Sequence, residues 1–221
     1  MARSIAVARG IRSSGVIASG RSIASGRLVG GGGAFPATGI LDPFNRANEG
    51  PPPSGSWLTP TGYNGMRVAT NVCVPDGLND SAALWNTLFV ADQEVYATIS
   101  VIPGSLEHVQ LLLRNQSGTE ITDGYFAEFY KGNPGDNGFV RLYSYIAGVG
   151  TQLGADIDLG VEMAVGLVVG IRAVGTTITV WRDGVELGSR TSSVVNGAGY
   201  LLLLVGPGSL PSFDNFGGGN V

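Results

Sequence analysis

The sequence predicts an all-β protein, an antiparallel two-sheet sandwich with an extended N-terminal arm. Three observations predict it. Short runs rich in Val, Ile, Thr, Tyr and Phe alternate apolar with polar residues between turn-forming residues, the period-2 signature of half-buried strands. Gly supplies 36 of the 221 residues, more than twice its usual share of roughly 7% and without the G-X-Y period of a collagen, as a chain of many tight turns requires. Apolar residues at helical spacing nowhere extend beyond about two turns.

Composition also narrows the function classes. With 43% apolar and 14% charged residues, against roughly 25% charged in an average globular protein, the chain is suited to burying a core rather than staying disordered. Its length fits a single domain that needs neither disulfides nor metals to fold. Cys73 is the only cysteine, which excludes an intramolecular disulfide framework and a cysteine zinc knuckle. His108 is the only histidine, which excludes multi-histidine metal sites and leaves one imidazole for any nucleophile–base couple. No apolar run reaches the roughly 18 residues of a transmembrane helix. No cofactor is expected.

Charge divides the chain. Residues 1–41 hold Arg3, Arg9, Arg12, Arg21 and Arg27 and no acid, whereas residues 42–221 hold 8 basic and 17 acidic side chains. The arm, residues 1–36, repeats Arg-Ser at Arg3-Ser4, Arg12-Ser13 and Arg21-Ser22 and runs into Gly30-Gly31-Gly32-Gly33. Its Gly, Ser, Ile and Val disfavour a stable helix, Gly alone costing about 1 kcal/mol per position relative to Ala. Its longest apolar stretch, Ile5 to Ala8, falls short of the roughly 7 to 15 residues of a secretory signal, while its Arg- and Ser-rich, acid-poor composition is shared with mitochondrial presequences. Three uses stay open: an anchor that becomes ordered on a partner or on symmetry mates, a tail packed on its own domain, and nucleic-acid binding. The anchor is the expected use. Nucleic acid ranks last, because no aromatic residues interleave with the arginines to stack bases.

Residues 37–221 form the sandwich. Gln93 to Val101 places Val95, Ala97, Ile99 and Val101 on one face. His108 to Asn115 turns Val109, Leu111 and Leu113 inward and Gln110 and Arg114 outward. Phe139 to Ile146 puts Val140, Leu142, Ser144 and Ile146 on one face and Phe139, Arg141, Tyr143 and Tyr145 on the other. Thr176 to Trp181 leads through Arg182-Asp183-Gly184 into Val185-Glu186-Leu187, and the Asp-Gly pair marks a hairpin because both residues tolerate φ > 0. Tyr200 to Val205 reads as a strand buried on both faces. About twelve to fourteen strands are expected in all.

The ordered segments Leu41-Asp42-Pro43-Phe44-Asn45-Arg46, Gly55-Ser56-Trp57, Gly124-Tyr125-Phe126, Arg141-Leu142-Tyr143, Val180-Trp181-Arg182-Asp183-Gly184 and Phe213-Asp214-Asn215-Phe216 carry a resemblance. Over residues 40–219 the chain resembles the concanavalin A-like (laminin G-like) jelly-roll domains of minor tail and other virion proteins of bacteriophages, particularly phages of actinobacteria. The resemblance implies a jelly-roll sandwich whose first and last strands lie side by side, bringing Asp42 near Asp214. It implies a non-enzymatic virion component on the particle exterior, a minor tail or capsid decoration protein. The arm lies outside the resemblance and is expected to anchor the protein to other virion proteins through Arg3, Arg9, Arg12, Arg21 and Arg27; the copies are expected to form a homo-oligomer, and the thin repetitive arm suggests a trimer. The alternative is a carbohydrate-binding receptor-recognition module that contacts host-surface glycans.

Related jelly rolls include glucanases, whose Glu-x-Asp-x-x-Glu strand projects carboxylates to one face. Here Asp156-Ile157-Asp158-Leu159-Gly160-Val161-Glu162 has the one-residue-longer spacing but starts with Asp in a connection, so no catalytic residues are assigned. Asn133 to Gly138, and Asp42 with Asp214, offer oxygen ligands but no EF-hand spacing; Asn, Pro, Asp and Gly are first of all turn formers, and no metal is assigned. By strand parity Gln110, Arg114, Arg141, Tyr143 and Tyr145 point outward, and Glu128 and Tyr130 join them. This polar and aromatic face is a subunit interface, a glycan site or a plain exposed sheet, since Tyr and Arg are favoured at interfaces. His108 is expected at the surface, Cys73 in the core as a small hydrophobe, and Arg46 in a structural pair with a carboxylate.

Overall fold

The period-2 runs become sixteen strands, with no helix among the described residues, which are 33–104, 107–208 and 210–221 of this computed structural model. In chain order they are β1 (Ile40–Asp42), β2 (Trp57–Leu58), β3 (Met66–Ala69), β4 (Val72–Pro75), β5 (Ser81–Phe89), β6 (Gln93–Val101), β7 (His108–Asn115) and β8 (Gly124–Tyr130). They continue as β9 (Phe139–Ile146), β10 (Val149–Gln152), β11 (Ile157–Asp158), β12 (Val168–Val174), β13 (Thr177–Arg182), β14 (Val185–Thr191), β15 (Gly199–Val205) and β16 (Ser212–Asn220). The five arginines expected to anchor the arm lie outside the described residues.

The strands form two eight-stranded antiparallel sheets. The first runs β14-β13-β12-β6-β16-β4-β3 with β1 added on β16; the second runs β10-β9-β8-β7-β15-β5-β2 with β11 added on β9. Their facing sides make one core, in which Val95, Ala97, Ile99, Ile171 and Val180 of the first sheet meet Val109, Leu111, Tyr125, Phe129, Val140 and Leu203 of the second. The concanavalin A-like jelly roll expected from the sequence is therefore the observed fold. At Asp183-Gly184 the chain reverses with φ of +47° and +77°, which is the geometry that selects this pair for a two-residue hairpin.

β15 is buried on both faces, as its uninterrupted apolar run implies. Leu201, Leu203 and Val205 join the core, while Leu202 and Leu204 pack with Ala82, Leu84 and Leu112 on the other side of the sheet, under Leu58, Tyr63, Ile121 and Phe126. The connections that supply Tyr63 and Ile121 are held together by a bond from Thr61 N to the Thr119 carbonyl.

The first and last strands do lie side by side, with Asp42 opposite Phe216. The Asp42 carboxylate collects the Phe44 amide at 2.8 Å, both Arg46 amino groups at 2.5 and 3.0 Å and the Trp57 indole N–H at 2.8 Å. This explains the spacing of Asp-x-Phe-x-Arg and the later Trp: three donor types converge on one nearly buried anion. Burial works against ionisation of Asp42, but Arg46, Trp57 and the Phe44 amide overrule it and hold its pKa below the usual value.

Residues 33–38 are tied to the outward side of the first sheet. Glu94, fully buried, accepts from the amides of Ala37 and Thr38, the Thr38 hydroxyl and the Arg172 guanidinium. Arg172 in turn donates to the carbonyls of Gly33 and Ala34, and Phe35 stacks on Trp181 at 5.1 Å.

Arg114 corrects the parity reading. It was expected outward, yet it is fully buried at φ +55°. Between Tyr200↔Asn115 and Leu202↔Leu112, β7 uses one residue more than β15, a bulge that breaks the alternation. The guanidinium donates to the carbonyls of Ala91, Val195 and Gly175 at 2.7, 2.9 and 2.8 Å. It holds three connections together and belongs to no outward face.

Candidate functional site

The outward face of β7, β8 and β9 is built in rows by the register. His108, Tyr130 and Phe139 stand opposite one another; next come Gln110, Glu128 and Arg141, then Leu112, Phe126 and Tyr143, and last Gly124 with Tyr145. Directly opposed rings on neighbouring strands stack at about the interstrand distance of 4.8 Å. Tyr130 lies on Phe139 at 4.6 Å and 11°, and Phe126 on Tyr143 at 4.7 Å and 14°. Tyr145 meets the Phe126 edge at 5.8 Å. Two aromatic rows therefore flank one polar row, each about 7 Å away along the strands.

The polar row is internally bonded. Tyr130 donates its hydroxyl to Glu128 Oε2 at 2.7 Å, and Gln110 Nε2 reaches Glu128 Oε1 at 3.3 Å and His108 Nε2 at 2.8 Å. With an amide donor at Gln110, His108 accepts at Nε2 and its ring is neutral. Burial likewise pushes the His108 pKa below its ordinary value, against the opposing pull of Glu128. Burial and the bond to Glu128 push the Tyr130 hydroxyl pKa up. Arg141 turns to the edge: it pairs with Asp156 at 3.2 Å and covers the Tyr130 and Phe139 rings at 4.9 and 5.1 Å.

Beside the polar row is a cavity of about 180 Å³. Leu112 and Leu204 form part of its apolar lining, together with Ile121 and Phe126, while Tyr63, Asp80, Gln110 and Tyr145 bring polar atoms to it. A larger recess of about 520 Å³ lies on the outward side of the first sheet, between Phe35, Pro36, Ile40 and Val168. Its one carboxylate, Asp183, already accepts from the Val168 amide, and its rings, Phe35 and Tyr96, are themselves nearly buried, Phe35 being stacked on Trp181 rather than set beside a polar row. Polar and aromatic groups converge in the smaller cavity, which makes it the candidate site.

Of the seven face residues expected from the sequence, Gln110, Glu128, Tyr130, Arg141, Tyr143 and Tyr145 share this face, and Arg114 does not. His108, expected at the surface, is half-buried against Tyr130 at 4.8 Å and belongs to the first row. Phe126, Phe139, Tyr63 and Asp80 also belong here. The outward parity of Phe126 and Phe139 was readable from their strands; Tyr63 and Asp80 come from connections, where no periodicity points to a face. Cys73 is fully buried, and burial raises its pKa. Among the described residues no three His, Cys, Asp or Glu side chains gather in a metal-binding group. Asp156 is spent on Arg141 and Gln152, and Asp158 on the Gly160 amide and Asn137.

No protein-family model and no curated protein matches the chain. Solved structures do match in fold. Carbohydrate-binding module CBM66 from Bacillus subtilis superposes with a TM-score of 0.58 at 17% identity, over 73% of this chain and 93% of its own. The Bacillus licheniformis beta-glucanase gives 0.55 at 12%, over 81% and 96%. The exoplasmic/lumenal domain of VIP36 in its Ca2+/Man-bound form gives 0.56 at 11%, over 79% and 89%. None of these three is a virion protein, so the expected virion role has no counterpart among them. The chain is similar to a binding module, a glycosidase and a mannose-bound lumenal domain, and it shares with them the concanavalin A-like jelly-roll sandwich.

Proposed function

We propose that the sandwich is a carbohydrate-binding module that binds glycan on the outward face of β7, β8 and β9 without cleaving it. The observation that carries this reading is the polar row Gln110–Glu128–Arg141 between two rows of stacked rings, beside a small cavity. The C–H faces of a pyranose pack on aromatic rings, and its hydroxyls need fixed polar partners, a combination that suits apolar pockets with few polar groups. The fold neighbours support the reading, since they include a carbohydrate-binding module and a mannose-bound domain.

Binding without hydrolysis is supported by where the carboxylates stand. Glycosidases use two, about 5 to 9.5 Å apart according to mechanism. On the outward positions of β7, β8 and β9 there is one, Glu128; Asp80 and Asp156 come from connections at the margin, and Asp156 is already paired.

The test is calorimetric titration of the full chain against soluble oligosaccharides, with reducing-end release measured in parallel. Saturable binding that falls about tenfold or more in Tyr143→Ala, with no release of reducing ends, is expected. Absence of binding to every glycan would refute the module, and release of reducing ends that Glu128→Gln abolishes would make the protein an enzyme.

A further inference from the structure

The face is one-sided in charge, and that limits which glycans it accepts. Glu128 accepts only from neutral donors, the Gln110 amide and the Tyr130 hydroxyl. Among the described residues the one group within 4.0 Å of it that can carry a positive charge is His108, at 3.7 Å. The neighbouring cation, Arg141, is committed to Asp156 and to the faces of two rings. Asp80 is the carboxylate that lines the adjoining cavity. Against these, His108 brings no charge, because it is half-buried and already accepts from Gln110.

A ligand carboxylate entering here would meet like charge from Glu128 and Asp80, and the nearest guanidinium, Arg141, already shares its charge with Asp156 and two ring faces, whereas a hydroxyl would find a carboxylate acceptor held in place by Tyr130 and Gln110. Hydrogen bonds to an ionised acceptor are about twice as strong as neutral ones. Partial burial also limits the screening of the Glu128 charge by salt. We infer that the site selects uncharged, hydroxyl-rich glycans and rejects uronate-bearing ones, with Glu128 as the residue that sets this choice and Asp80 reinforcing it. This inference rests on the carbohydrate-binding reading above.

The experiment is titration of the full chain with matched neutral and uronate oligosaccharides at low ionic strength. The wild type is expected to favour the neutral member by about tenfold or more. Glu128→Gln should weaken the neutral ligand about tenfold and shrink the ratio between the two. Asp80→Asn, at an exposed position where substitutions disturb folding little, should also shrink the ratio. Equal or tighter binding of the uronate by the wild type would overturn the selectivity while leaving the module standing, as would a ratio unmoved by both substitutions. If the wild type binds neither member of any pair, the carbohydrate-binding reading itself falls, and the selectivity with it.

Discussion

Replacing Arg114 separates a structural arginine from a binding one. Its guanidinium is fully buried and satisfies three carbonyls, on Ala91, Gly175 and Val195, of which the Val195 bond is buried and the other two half-buried. Counting the buried charged hydrogen bond at about 3 kcal/mol and the other two at about 1 kcal/mol each, Arg114→Met should cost about 5 kcal/mol. That is a large part of the roughly 5–15 kcal/mol that a domain has, and at about 2–4 °C per kcal/mol for this size the midpoint should fall by about 10–20 °C. Arg114→Lys keeps a charge but cannot reach three acceptors in fork geometry, so it should recover little. Urea unfolding followed by tryptophan fluorescence reads the loss directly. A change below about 1 kcal/mol in Arg114→Met, the range of ordinary surface substitutions, would refute the stapling role. A loss of glycan affinity in the folded protein without a loss of stability would return Arg114 to the binding face.

Two further predictions concern buried titratable groups. Because burial lowers the His108 pKa, the unfolded chain takes up a proton near the ordinary value of about 6.5 before the folded protein does. Stability is therefore complete above that pH and declines as the pH falls towards the folded pKa; His108→Gln should flatten the decline, and equal slopes in both proteins would contradict it. Cys73, fully buried with its pKa raised by burial, should react with an aromatic disulfide reagent only as the protein unfolds, and instant reaction in native buffer would contradict that.

The strands that were legible were those long enough to show alternation on a regular backbone. In β9 the sequence order translates directly into Val140, Leu142 and Ser144 buried and Arg141, Tyr143 and Tyr145 outward, which is why most of the candidate face could be named in advance. β15 was legible for the opposite reason: its lack of alternation required cover on both sides, and Leu58, Tyr63 and Ile121 provide it. β1, β2 and β11 span two or three residues each, too few to show a period, which explains sixteen strands where about twelve to fourteen were counted. Arg114 was misread because parity holds only while every residue takes an extended conformation, and the bulge in β7 places it at positive φ. His108 was misplaced because its burial comes from across the sheet, from Tyr130 on β8 and Gly206 after β15. That proximity is set by strand order, which no local pattern in β7 contains.

The Glu94–Arg172 pair shows how stability and attachment can be told apart in this fold. Both side chains are nearly inaccessible, at 0% and 5% exposure, and the guanidinium bonds one carboxylate oxygen twice, at 2.9 and 2.6 Å. Removing one partner strands a buried charge, so Glu94→Leu should cost about 3–5 kcal/mol, while the double change with Arg172→Met, which removes both charges, should restore much of it. The same two side chains also bind the backbone of residues 33–38: Glu94 takes the amides of Ala37 and Thr38, and Arg172 the carbonyls of Gly33 and Ala34. Glu94→Leu removes the two amide contacts and leaves Arg172 without the partner that orients it, and the double variant removes all four. Thermolysin should therefore cut near Phe35 in both variants and spare the wild type, even where the unfolding midpoint of the double variant has recovered. If the recovered double variant kept Phe35 protected, the stacking of Phe35 on Trp181 would be sufficient to hold the segment, and the ion pair would matter for the sheet alone.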